Sequence, residues 1–114
     1  MNETVKVYAV MFTDPKTKEV KYKETEHEIM PNNGKEFTLK ELQGIVEGYI
    51  EVIYFPDGRV MVANETGKLD GLPVNAKATE IFEQQFPIEN YSYDREDHQI
   101  VGNVVICPEA MLGK

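Results

Sequence analysis

Tyr49-Ile-Glu-Val-Ile-Tyr-Phe-Pro-Asp-Gly-Arg-Val-Met-Val-Ala63 places two runs of β-branched and aromatic residues on either side of Pro56-Asp57-Gly58. Proline presets one turn angle and glycine accepts the left-handed one, so the stretch predicts a hairpin with strands over Tyr49 to Phe55 and Arg59 to Ala63. A hairpin in mid-chain commits the fold to an antiparallel or mixed sheet. The same signal recurs upstream: Val5 to Phe12 is apolar and β-branched, Asp14-Pro15-Lys16-Thr17-Lys18 is turn chemistry, and Val20 to Ile29 alternates apolar with charged residues. A strand charged along its length fits a sheet edge, where charge resists edge-to-edge association.

Between the two hairpins, Pro31-Asn-Asn-Gly34 breaks the chain and Thr38-Leu-Lys-Glu41 has the capping-box pattern that opens a helix. Leu39, Leu42, Val46 and Tyr49 recur at helical spacing, and Gly48 is read as the left-handed terminator. Gly44, inside that helix, costs about 1 kcal/mol relative to alanine, so it marks either a close approach or a glycine merely tolerated. A second helix is predicted from Ala76 to Gln85, capped by Asn75, with Ala78, Ile81, Phe82 and Phe86 on its inner face and Pro87 ending it. Ile100 to Cys107 is almost wholly apolar, the pattern of a strand covered on both faces, with Gly102 a bulge or a point of close approach. The order is β-β-α-β-β-α-β. It defines a single α+β domain over residues 1–114, with two helices packed on one side of a mixed or antiparallel sheet.

Composition narrows the function. Twenty acidic against twelve basic residues give a net charge of -8, which opposes binding to nucleic acid through phosphate neutralisation. The excess lies toward the C-terminal part: residues 80–97 carry six acids and only Arg95. Cys107 has no partner cysteine and ends an apolar run, so a buried structural thiol in a reducing cytosol is expected. The opening Met1-Asn-Glu-Thr carries no basic and apolar leader pattern, and no apolar run approaches the roughly twenty residues needed to span a bilayer. A cytoplasmic protein without membrane attachment is the expectation.

The candidate site is Asn64-Glu-Thr-Gly-Lys-Leu-Asp-Gly-Leu-Pro-Val-Asn75, which concentrates turn formers and polar side chains between a strand and a helix. Asn64 and Asn75 flank it, each with a structural alternative, a turn for Asn64 and a helix cap for Asn75. Glu65 and Lys68 offer an anion and a cation, and amides around Gly67, Lys68 and Gly71 form a weak anion-binding pattern. Glu51 interrupts an apolar strand on the same face as Tyr49, Ile53 and Phe55; half-burial would raise its pKa and mark it as functional, and a rim position would not. Tyr91 and Tyr93 on the acidic loop suit an interface or ordinary packing. His27 and His98, and the cluster Asp94-Arg-Glu-Asp97-His98, match no calcium or zinc spacing. Ser92 lacks a histidine and acid at a recognisable spacing, so neither a metal, a cofactor nor catalysis is expected.

Leu39-x-x-Leu42-Gln43-x-x-Val46-x-Gly48-Tyr49-Ile50-Glu51, Asn64-Glu65-x-Gly67-Lys68-Leu69-x-Gly71-Leu72-Pro73-x-Asn75 and Ile100-Val101-Gly102-Asn103-Val104-Val105-Ile106 together resemble the uncharacterised family labelled domain of unknown function 3846. The resemblance implies a small bacterial protein of phages, plasmids and other mobile elements, and it implies no activity. Two functions follow. The first is a binding or regulatory module that recognises a small ligand or protein partner through Tyr49, Glu51, Asn64, Glu65, Lys68 and Asn75. The alternative is an acidic mimic of nucleic acid that blocks a DNA-binding or defence protein through residues 80–97. Self-association stays open in both.

Overall fold

The structure is a computed structural model that describes residues 5–87 and 99–113. Strands β1 (Lys6–Thr13), β2 (Val20–Glu28), β3 (Ile50–Tyr54), β4 (Arg59–Asn64) and β5 (Val104–Pro108) form one sheet in the order β2-β1-β5-β4-β3. Every neighbouring pair is antiparallel. Helices α1 (Leu39–Val46) and α2 (Ala76–Gln85) fall between the strands in the expected order, and a 3-10 turn at Glu109–Met111, which no sequence signal announced, follows β5.

The two helices lie on opposite faces of the sheet, which corrects the one-sided packing expected from the sequence. Side chains alternate across a strand, and β4 sends Val60 and Val62 to one core and Met61 and Ala63 to the other. The first core joins them to Leu42 and Val46 of α1 with Val5, Val7, Phe37, Val105 and Cys107. The second joins Ala78 and Ile81 of α2 to Tyr8, Phe55, Ile100, Val104 and Ile106. This is why β5 is apolar at consecutive positions: it is central and covered twice. Phe82 and Phe86 are half-buried against the second core, with ring centroids 5.0 Å apart, and Leu39 is exposed rather than core.

Local chemistry fixes the element ends. The capping box is present in full: the Thr38 hydroxyl accepts from the Glu41 amide at 3.2 Å, and the Glu41 carboxylate accepts from the Thr38 amide at 3.0 Å. At the other end of α1 the left-handed residue is Glu47, with φ 61°, and not Gly48. Gly48 serves a different need. A Cβ there would sit 2.6 Å from Asn64 Nδ2, so glycine is what lets the Asn64 side chain reach the helix end. In the second hairpin, Gly58 takes φ +92° and the Asp57 carboxylate accepts from the Arg59 amide at 3.0 Å, closing the Pro-Asp-Gly turn.

Candidate functional site

Residues 65–73 leave the end of β4 as a chain of tight turns. Gly67 N donates to Asn64 O, Asp70 N to Thr66 O, Gly71 N to Lys68 O and Leu72 N to Gly67 O, all within 3.3 Å. These bonds engage the amides of Gly67 and Gly71, so the weak anion cradle read from the sequence does not form around them. The turn is pressed onto the approach to β5: Cβ atoms at Gly67 and Gly102 would lie 2.7 Å from Val101 Cγ2 and 2.8 Å from Leu72 Cδ1. Gly102, at φ +75°, is therefore the point of close approach that its position suggested.

Three buried asparagines tie this region together. Asn64 donates Nδ2 to Val46 O at 3.1 Å, a carbonyl left over at the end of α1, and accepts from the Thr66 amide at 2.9 Å. Asn75 accepts from Ala78 N at 3.0 Å as the cap of α2 and donates to Tyr8 O and Gly102 O, each at 2.9 Å. Asn103, which sequence reasoning passed over, accepts from Val10 N and Met11 N beside the irregularity in β1 and donates to Met11 O and Ile45 O. A buried amide is tolerated only when its donors and acceptors are met. Among the described residues no buried side-chain nitrogen or oxygen lacks a partner.

A cleft of about 340 Å³ opens beside the turn on the α2 side of the sheet. Glu51 and Ile53 from β3, Ala63 and Asn64 from β4, Glu65, Lys68 and Leu69 from the turn, Phe82 from α2, and Gln99, Ile100 and Val101 before β5 form its walls. Four of the six residues chosen from the sequence, Glu51, Asn64, Glu65 and Lys68, thus converge on it. Tyr49 stands outside the lining, 70% exposed, with its carbonyl accepting from Glu65 N. Asn75 faces inward and is 1% exposed, so its polar atoms serve the fold. Asn64 contributes to the cleft wall while its amide stays committed to α1. Glu51 is at the exposed rim.

Leu69, Ile53 and Phe82 complete the cleft with apolar surface. Leu69 is 90% exposed. Its signal is a large apolar side chain set between Lys68 and Asp70, and strand alternation places Ile53 on the same face as Glu51. The Cys107 thiol is fully buried in the first core, where burial pushes its pKa up to about 11. His27 is exposed on β2. Among the described residues no group of His, Cys, Asp and Glu could hold a metal ion, and no helix is long and apolar enough to cross a membrane. Tyr91, Ser92, Tyr93, the Asp94–His98 cluster and most of the acidic stretch 80–97 lie outside the described residues.

The class is therefore an α+β protein with a five-stranded antiparallel sheet, one helix on each face, and a half-polar cleft at the end of the β3–β4 hairpin. The chain belongs to the family described as Domain of unknown function (DUF3846), which it matches over residues 7–111. No curated protein and no solved structure matches it.

Proposed function

We propose that the protein is a small acidic binding module of phage or plasmid type that holds a small ligand in the cleft beside the 64–75 loop. The observation that carries this reading is the convergence of Glu51, Glu65 and Lys68 with Leu69, Ile53 and Phe82 around about 340 Å³. Ligand sites pair apolar walls with a few polar groups, and volumes of roughly 300–1,000 Å³ are typical. A leucine 90% exposed at the lip is apolar surface that an occupant would cover. The role is recognition rather than turnover, supported by the Cys107 thiol being enclosed in the core and held protonated. That buried, unpaired thiol also supports a cytosolic setting. The mobile-element setting rests on the family resemblance alone.

Native mass spectrometry of the purified protein tests the reading. A retained small molecule should be lost from Leu69→Ser and Lys68→Ala while both variants keep the wild-type melting temperature within a few degrees. Retention undiminished in both variants refutes the cleft. Capture of a DNA-binding protein instead, with affinity falling steeply as salt rises, would favour the charge-mimic alternative.

A further inference from the structure

Two lysines without a carboxylate partner among the described residues, Lys21 and Lys23, stand at the edge of the sheet opposite the one that carries the cleft, and the fold builds a groove beneath them. Strand β2 is an edge strand whose nine residues are all exposed. Its charges are sorted by face. Lys21, Lys23 and His27 line a groove of about 580 Å³ on the α1 side, while Glu24 and Glu26 line a depression on the α2 side with Tyr8 and Asn75. Glu26 there lies 3.6 Å from Lys6, but among the described residues neither Lys21 nor Lys23 has a carboxylate partner. The groove floor between them and α1 is apolar, with Phe12 59% exposed and Ile45 half-buried. Glu47 is the one carboxylate among the described residues that line it.

Gly44 is explained by the same groove. It lines the α1 wall, and a Cβ built there would meet nothing within 4 Å. No internal packing requires the glycine, although glycine is a poor helix former. Its effect is to leave the groove wide.

We infer that this groove receives an extended acidic segment of a partner protein lying along β2. Residues two apart on a strand are roughly 6.6–6.8 Å apart, so Lys21 and Lys23 match carboxylates on alternate residues of an extended chain. The apolar floor accepts the uncharged side chains that alternate with those carboxylates and point away from β2. A second copy of this chain is a poor occupant. Two β2 edges meeting antiparallel keep each face continuous, which sets Lys beside Lys on one face and Glu beside Glu on the other, and like charges across a strand pair repel. A nucleic acid is disfavoured by the net charge of -8, which opposes the dense phosphate charge at long range.

The test is fluorescence anisotropy with three labelled probes: a short peptide of alternating glutamate and valine, its lysine–valine counterpart, and an oligothymidylate. The acidic peptide should bind and the lysine peptide should not, with the oligothymidylate at least about tenfold weaker than the acidic peptide. The double variant Lys21→Glu/Lys23→Glu should weaken the acidic peptide by about tenfold or more. Gly44→Leu should weaken it comparably while its melting temperature equals or exceeds that of the wild type, which separates a blocked groove from a damaged fold. Absence of binding by the acidic peptide up to about 1 mM, unchanged affinity in both variants, or tighter binding of the oligothymidylate would each overturn the inference.

Discussion

Replacing Asn75 with alanine tests how much of this fold is held by a single side chain. Asn75 is 1% exposed, and its amide makes three bonds, to α2, to β1 and to the segment that leads into β5. Loss of the cap on α2 costs about 1 kcal/mol. The Tyr8 and Gly102 carbonyls each lose a buried donor, at about 1–2 kcal/mol apiece. The total is about 3–5 kcal/mol, against a stability of about 5–15 kcal/mol for a domain of this kind. With a urea slope near 2 kcal/mol/M the unfolding midpoint should fall by about 2 M. Asn75→Asp keeps the cap acceptor but turns a carboxylate toward two carbonyls, so it should rescue little at neutral pH. Urea denaturation followed by circular dichroism measures both variants. A loss below about 1 kcal/mol for Asn75→Ala would show that the cap alone matters and that water or a local shift satisfies the other two carbonyls.

Two glycines in and after α1 should respond in opposite directions: Gly44→Ala should stabilise by roughly 0.5–1 kcal/mol, because its Cβ enters open space, whereas Gly48→Ala should cost roughly 2–3 kcal/mol through displacement of Asn64 from the helix end, both read by chemical denaturation. Cys107 should react with a thiol reagent slowly in the native protein and rapidly once unfolded, and fast native labelling would contradict its burial, which pushes the thiol to about 11. The Thr38 and Asn32 amides hold the Glu41 carboxyl below its ordinary value. Its contribution is therefore complete above the ordinary glutamate pKa of about 4.3 and lost as pH falls through the lower folded value, so Glu41→Gln should lose less melting temperature than the wild type below about pH 4.

What the sequence made legible was local. The Pro56-Asp57-Gly58 turn, the Thr38–Glu41 box, the Asn75 cap and the charged edge β2 each depend on residues within a few positions of one another, and all are present. The side of the sheet taken by each helix depends on contacts between distant residues. The apolar run Val104 to Ile106 held the clue, since a strand with no polar face needs cover on both sides, which one-sided helices do not supply. The same division applies to the site. Asn64, Asn75 and Asn103 look like surface polar residues in a turn-rich sequence, yet their bonds span 18, 67 and 93 positions, and only the folded chain shows that they face inward. Gly48 reads as the left-handed terminator while Glu47 adopts that angle, because a glycine required by a neighbouring side chain looks the same in sequence as one required by its own backbone.

The cleft can be mapped without knowing its ligand. Amide chemical shifts of the isotopically labelled protein, recorded against a library of small-molecule fragments, should move for Glu51 to Ile53, Glu65 to Leu69, Phe82 and Gln99 to Val101. The same fragments should leave Leu69→Arg unperturbed. Fragments that shift only amides elsewhere, or that perturb Leu69→Arg as they do the wild type, would contradict a binding cleft at the end of the β3–β4 hairpin.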